Sequence, residues 1–372
     1  MRDEELTPTR AKCDHVCDRR NPSAVTAFAI AGRPIGPDHP PFVIAELSGN
    51  HNGDLGRALA LIDACAEAGV EAVKLQTYTP DTITLDHDGP GFTVEGGLWA
   101  GRTLYDLYRE AHTPFEWHPA LFAHARARGL IVFSSPFDGT AVALLESLDA
   151  PAYKIASFEA VDLPLVARAA RTGRPLIIST GMTNLGEIAA AVNTARAAGA
   201  GGVCLLHCVS AYPARFADAN LRTIPRLASD FGVVSGLSDH TPGTVAAVAA
   251  VALGACVVEK HVTLRRADGG PDAAFSLEPG ELARLVQDCR HAWEALGSAT
   301  YARGVEETAN KQFRRSLYVV RDVPAGQLLT PADVRSIRPG YGMAPARLPD
   351  VIGRRAARAL ARGEALSDAM LA

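Results

Sequence analysis

At 372 residues, 48% apolar and 21% charged, the chain has the length and composition of a globular enzyme with a sizeable core. Its formal net charge of -4 gives no electrostatic ground for a nucleic-acid partner. No apolar run reaches the roughly 18 residues of a membrane span, and the opening MRDEELTPTRAKCDHVCDRR is too charged for a secretion signal, so the expected location is the cytoplasm.

Residues 1–25 read as a disordered extension, because Cys13, His15 and Cys17 lack the second pair of ligands that a zinc site needs. Eight short apolar runs follow, each ending in a polar or charged residue. They are FVIAE (Phe42 to Glu46), VEAVKLQ (Val70 to Gln76), LIVFSS (Leu130 to Ser135), PAYKIAS (Pro151 to Ser157), RPLIIST (Arg174 to Thr180), GGVCLLHC (Gly201 to Cys208), GVVSGLSDH (Gly232 to His240) and CVVEKH (Cys256 to His261). Runs of this length, alternating with amphipathic stretches, predict βα units and a parallel sheet; eight of them predict a closed (β/α)₈ TIM barrel over 26–297. LGRALALIDACAEAG (Leu55 to Gly69) has apolar residues at helical spacing and a closing glycine, and PGTVAAVAAVALG places Pro242 in a first helical turn. ELARLVQDCRHAWEALG (Glu281 to Gly297) predicts the last barrel helix. Residues 298–315 are polar and read as a linker, while 316–372 carry short strands and turns, a module small enough to need another surface. The cysteine count is odd, and Cys65, Cys204, Cys208, Cys256 and Cys289 read as reduced, packed thiols.

A closed barrel gathers its C-terminal strand ends into one mouth, so Glu46, Lys74, Gln76, Ser135, Lys154, Ser157, Ser179, Asp239, His240 and His261 are expected to meet there. His240 and His261 end adjacent strands, about 5 Å apart, and are expected to ligate one metal ion with positions left open to substrate. His39, His87, His112, His118, His124 and His291 read as surface or turn residues. Lys74 and Lys154 lie inside apolar runs where an unpaired charge is costly, and with Ser135, Ser157, Ser179 and Ser238 they describe a phosphate and carboxylate cradle. Glu46 and Glu159 are expected to move protons or grip hydroxyls. Asp272, in a Gly/Pro-rich loop, fits either a turn or the site.

The strings IAELSGNHNGDLGRALALIDACAEAGVEAVKLQTY, SSPFD, PAYKIASFE, IISTGM, LLHCVSAYP, GLSDHTPG and EKHVT, followed by SIRPGYG, closely resemble the sialic acid synthase family from about Phe28 to the C-terminus. The resemblance implies a TIM barrel joined to a small antifreeze-like (SAF) domain. It implies condensation of phosphoenolpyruvate with an N-acylated amino sugar and a domain-swapped homodimer. It also implies a divalent metal on His240 and His261, usually Mn²⁺, with Mg²⁺ or Co²⁺ as alternatives. By motif, Lys74, Gln76, Ser135, Lys154, Ser157, Ser179 and Ser238 resemble substrate contacts, the serines and lysines on the phosphoenolpyruvate side. Glu46, Glu159, Tyr212 and Asp272 resemble residues that handle the sugar or shuttle protons. Arg338 resembles an arginine delivered to the N-acyl group by the other subunit.

Within the family, ELSGNHNG, KLQTYTPDTITLD, YDLYREAHTPFEWH and KIASFEAVDLP resemble the pseudaminic acid synthases. Phe158 stands where N-acetylneuraminate enzymes tend to have glycine, and Ser210 where they have asparagine. An apolar side chain beside the sugar suits a 6-deoxy diacetamido acceptor, with N-acetylneuraminate or legionaminate synthesis as the alternatives. Two other classes remain: a Schiff-base aldolase using Lys154, and a non-catalytic sugar-binding protein.

Overall fold

The computed structural model describes residues 27–372, so Cys13, His15, Cys17 and the extension drawn at residues 1–25, with its boundary at 26, lie outside the described residues. The chain divides into two units, 27–297 and 298–372. The first begins with an antiparallel hairpin, β1 (Phe28–Ile30) and β2 (Arg33–Ile35). Its two turn residues, Ala31 and Gly32, both have positive φ (49° and 82°), the left-handed pair whose twist suits a tight hairpin.

Eight strands then close a barrel: β3 (Phe42–Glu46), β4 (Ala72–Thr77), β5 (Ile131–Pro136), β6 (Tyr153–Ile155), β7 (Leu176–Ser179), β8 (Val203–Cys208), β9 (Val234–Asp239) and β10 (Val257–His261). Every neighbouring pair is parallel, and β10 closes on β3 with His261 opposite Glu46. The expected (β/α)₈ TIM barrel is therefore the observed fold. Each of the eight apolar runs holds one strand, with β4 and β5 running one residue further, to Thr77 and Pro136.

Strand side chains alternate between the barrel interior and the surrounding helices. The lower interior is apolar, with Phe42, Ile44, Phe133, Ile177, Leu206 and Val257 packed on Ile30 and Ile35 of the hairpin, which plugs that end. A larger cluster, including Leu61, Val73, Val132, Val166, Leu205 and Leu285, fills the layer between strands and helices. With one end of the interior sealed by hydrocarbon, polar residues on the same strands collect at the C-terminal mouth.

The helix Leu55–Glu67 is capped by Asp54, whose carboxylate accepts the Arg57 N–H at 2.7 Å, and the chain leaves it through Gly69 at φ 80°. Pro242 does not open a helix as expected. That helix spans Val245–Ala252, and Pro242 sits in the preceding loop. In the second unit, the stretch expected to be a plain linker carries a short helix, Val305–Ala309, and a helical turn, Asn310–Phe313. Beyond it β11 (Ser316–Val319) pairs antiparallel with β12 (Val334–Ile337) over a core of its own that includes Leu317, Val319, Val334, Val351, Leu360 and Leu366. Among the described residues no helix is long and apolar enough to cross a membrane.

Candidate active site

The polar layer of the interior is built around four charges. Glu46 at the end of β3 meets Lys74 of β4 at 2.5 Å. Glu259 of β10 lies between Lys74, at 3.8 Å, and Lys154 of β6, at 3.7 Å, and accepts the Ser238 hydroxyl at 3.0 Å. None of the four is more than 4% exposed. Two carboxylates and two ammonium groups balance, which is how a dry interior tolerates them. Burial pushes Glu46 upward. Glu259 is also lifted by burial, but Lys154 and Lys74 outweigh this and hold it below the usual carboxylate range. Burial draws Lys154 down, whereas for Lys74 the Glu259 and Glu46 carboxylates more than offset the same effect.

The serines surround this layer. Ser135 accepts from Lys74 at 3.2 Å, Ser157 accepts the Gly181 backbone N–H at 3.2 Å, and the Ser179 hydroxyl is buried with no partner. Gly181 is held to glycine by crowding: a Cβ there would lie 2.3 Å from the Ser210 hydroxyl and 2.8 Å from that of Ser157. A buried hydroxyl without a partner is free to donate to an anionic oxygen.

His240 and His261 have ring centroids 5.3 Å apart. The Nδ1 of His240 is 3.0 Å from the Val209 carbonyl, a contact that makes it the donor and leaves Nε2 free. The Nδ1 of His261 is buried without a hydrogen-bond partner, with an Asp272 oxygen 3.9 Å away. Burial and the neighbouring His240 keep the His261 ring well below its usual pKa, hence neutral, as a metal ligand must be. A buried, unpartnered imidazole nitrogen facing a second imidazole fits a divalent cation. Among the described residues no group of three or more His, Cys, Asp or Glu completes a closed metal cage.

Outside this ring opens a cavity of about 540 Å³, into which Gln76, Phe158, Glu159, Tyr212, His261 and Asp272 all project. Burial raises Glu159 to about 7 and leaves one of its oxygens unpaired. Tyr212 packs on His240 at 4.5 Å between ring centroids, and burial pushes its hydroxyl well above the usual range. Asp272 stands just before the turn Ala273–Phe275, without a side-chain cap bond to it, and lines the cavity. Its carboxylate accepts the Ser48 hydroxyl. Ser48 in turn accepts from Gln76 at 3.2 Å, and Gln76 also donates to Glu46 at 2.8 Å.

Several residues fall elsewhere than expected. Asp239 points out of the barrel, paired with Lys260 at 2.7 Å in the strand–helix layer, because Ser238 and His240 take the inward positions on either side. His118 is fully buried, its Nε2 hydrogen-bonded with the Thr77 hydroxyl at 2.8 Å, and is no surface residue. Cys208 is a buried free thiol, but in the mouth, 3.8 Å from His240 Nδ1 and not merely packing. Arg338 follows β12 on the second unit and is exposed. Glu259 and Ser48 were not expected. Alternation along VVEKH puts Glu259 on the same face as His261, a signal that looking only at strand ends overlooks. Ser48 has φ 46°, a left-handed serine that no local pattern announces.

A TIM barrel whose mouth combines a histidine pair, buried lysines and an anion-ready serine set, with a small β unit after it, defines a barrel enzyme for a small anionic substrate. The chain belongs to the NeuB family, whose model matches residues 61–301, and a SAF domain matches residues 314–372. It is 42% identical over 330 residues to the pseudaminic acid synthase of Helicobacter pylori, covering 88% of this chain and 97% of that one. The N,N'-diacetyllegionaminic acid synthase of Legionella pneumophila is 35% identical over 330 residues, with 87% and 93% covered. Among solved structures, the N-acetylneuraminic acid synthetase of Leptospira borgpetersenii, in complex with citrate, superposes with a TM-score of 0.69 at 31% identity over 77% of this chain and 95% of that one.

Proposed function

We propose that this chain is a pseudaminic acid synthase, joining phosphoenolpyruvate to 2,4-diacetamido-2,4,6-trideoxy-L-altrose and releasing phosphate. The observation that carries the reading is an apolar-walled cavity, lined by Phe158 and reaching His261, whose Gln76 donates to Glu46 of the buried lysine–carboxylate layer. The relatives named pseudaminic acid synthase support this choice of acceptor.

In this reading Lys74 and Lys154, with Ser135, Ser157, Ser179 and Ser238, bind the phosphate and carboxylate of phosphoenolpyruvate. A divalent cation on His240 and His261, most simply Mn²⁺, would polarise the acceptor's aldehyde oxygen when bound. The lysines hold the enol so that its C3 forms the new bond to the aldehyde carbon, leaving positive charge at C2. Water adds at C2 and gives its proton to a carboxylate, best Glu46, whose raised pKa makes it a competent base. The adduct then collapses with cleavage of the C–O bond to phosphate, and the two ammonium groups stabilise the departing charge. Glu159, Asp272, Tyr212, Gln76 and Ser210 orient the sugar and move its protons.

The reading includes a domain-swapped homodimer, in which Arg338 of one protomer reaches the N-acyl group bound by the other, and a cytoplasmic location. Apolar side chains left exposed in the segments that follow the C-terminal strand ends, Phe158 (59%), Met182 (61%), Phe216 (52%) and Val245 (68%), support a covering partner surface. The test is phosphate release from phosphoenolpyruvate with a panel of acceptors. Burying the C6 methyl contributes about 1 kcal/mol, and a stranded C6 hydroxyl costs about 1–3 kcal/mol. The 6-deoxy acceptor is therefore expected to exceed N-acetylmannosamine in kcat/KM by roughly thirtyfold or more. Equal or better use of N-acetylmannosamine would remove the acceptor assignment and leave the broader synthase reading.

A further inference from the structure

The connection after β4 is unlike the others in the barrel. From β7 the chain enters its helix after residues 180–184, whereas from β4 it travels through residues 78–117 before the helix His118–Ala127. Long excursions in a compact domain are commonly functional. This one holds two short helices, Pro80–Ile83 and Leu104–Ala111, and between them a small hairpin in which Val94 N–H donates to Arg102 at 2.9 Å and Leu104 N–H to Phe92 at 2.8 Å. Gly97 and Gly101, at φ 80° and 83°, let the hairpin tip turn tightly, and Trp99 stands on that tip.

Trp99 is anchored across the mouth. Its indole N–H donates to the Pro271 carbonyl at 2.8 Å, on the loop that carries Asp272, and its ring lies 5.4 Å from that of Tyr212. One residue of the β4 excursion thus joins the loops after β8 and β10. Ile83, Val94, Trp99, Leu104, Leu107 and Tyr108, all from the excursion, line the cavity, while Glu159, Tyr212, His261 and Asp272 face it from other strands. The excursion thus supplies most of the hydrocarbon lining, which Phe137, Ala156 and Phe158 extend from the loops after β5 and β6.

We propose that Trp99 is a substrate-contacting, specificity-determining residue, and that the excursion it pins across the mouth is the wall receiving the acetamido and C6 methyl groups of the acceptor sugar. This rests on the synthase reading above and deepens it. A pyranose or open-chain sugar with two acetamido groups and a deoxy carbon has one amphipathic flank that matches such a wall, whereas phosphoenolpyruvate, small and highly charged, has nothing to place there. The latch bond fixes the indole plane, so the ring both packs on the sugar and holds the wall in register with Asp272.

The experiment compares Trp99→Phe and Trp99→Ala with the wild-type enzyme, all loaded with the same metal, in phosphate release with each substrate varied in turn at a saturating level of the other. Trp99→Phe keeps an aromatic face but loses the latch, and the KM for the 6-deoxy acceptor should rise roughly threefold. Trp99→Ala loses both, and that KM should rise roughly tenfold or more while the preference over N-acetylmannosamine narrows. The KM for phosphoenolpyruvate should stay within about twofold in both variants, the split expected for lost acceptor binding alone. Titrating the sugar should also change tryptophan emission in the wild type, and this change should vanish in Trp99→Phe although Trp117 and Trp293 remain. An unchanged acceptor KM in either folded variant of an active enzyme, or equal rises for both substrates, would overturn the inference and leave the synthase reading standing. Failure of the wild type to turn over any acceptor would overturn the synthase reading and this inference with it.

Discussion

Replacing Glu259 with Gln removes one charge from a balanced buried set while keeping side-chain size and the contact with Ser238. At 3.7 Å from Lys154 and 3.8 Å from Lys74, each attraction is about 4 kcal/mol with an effective dielectric near 20. The glutamate no longer has to be desolvated, which returns several kcal/mol, so the net cost of leaving a lysine uncompensated is about 3–5 kcal/mol. For a domain of this size that lowers Tm by roughly 6–20 °C. The variant mouth carries one net positive charge, so an anionic ligand should do more for it than for the wild type. Phosphoenolpyruvate is expected to bind roughly threefold tighter or better and to raise the Tm of the variant further. Thermal unfolding with and without phosphoenolpyruvate reads both effects. Adding Lys154→Met should recover part of the lost stability by restoring neutrality, a non-additivity expected only of groups in contact. A variant melting within about 2 °C of the wild type, or gaining no more from the ligand, would refute the view that these four side chains act as one electrostatic unit.

Removing metal with EDTA should abolish phosphate release, and His240→Ala or His261→Ala should weaken Mn²⁺ binding by roughly a hundredfold in calorimetry with the fold intact; full turnover by verified metal-free enzyme would remove the Lewis-acid role. Arg338→Ala should harm use of the acceptor more than of phosphoenolpyruvate, and confirmed heterodimers with His261→Ala should regain about half the wild-type rate, since one of their two composite sites is complete; no recovery would count against a site shared between subunits. Glu159 is raised from 4.5 to about 7 by burial, so its contribution to stability is complete below pH 4.5 and is lost as pH rises through 7. The Tm of the wild type should therefore fall between pH 5 and 8 relative to Glu159→Gln, and parallel profiles would show that the carboxyl is solvated.

All eight strands could be located from hydrophobicity because a parallel barrel strand is buried on both faces and reads as an uninterrupted apolar run. What the runs do not state is which face each residue takes. Asp239 and Glu259 are one position apart in kind: both are acidic, both lie in the last residues of neighbouring strands, yet the register sends Glu259 to Ser238 and the lysines, and Asp239 outward to Lys260. Fixing His240 and His261 as inward residues would have decided both, since side chains two apart share a face. The residues that remained illegible depend on contacts distant in sequence. Ser48 matters through Asp272 and Gln76, and Trp99 through Pro271 and Tyr212, and neither Ser48's left-handed backbone nor the hairpin tip has a local hydrophobic signature. The barrel sets the chemistry at its strand ends, where spacing along the chain is a guide. Selectivity is built on a long excursion whose position over the mouth is decided only when loops from three strands meet, which is why the reacting centre can be read from sequence further than the acceptor wall can.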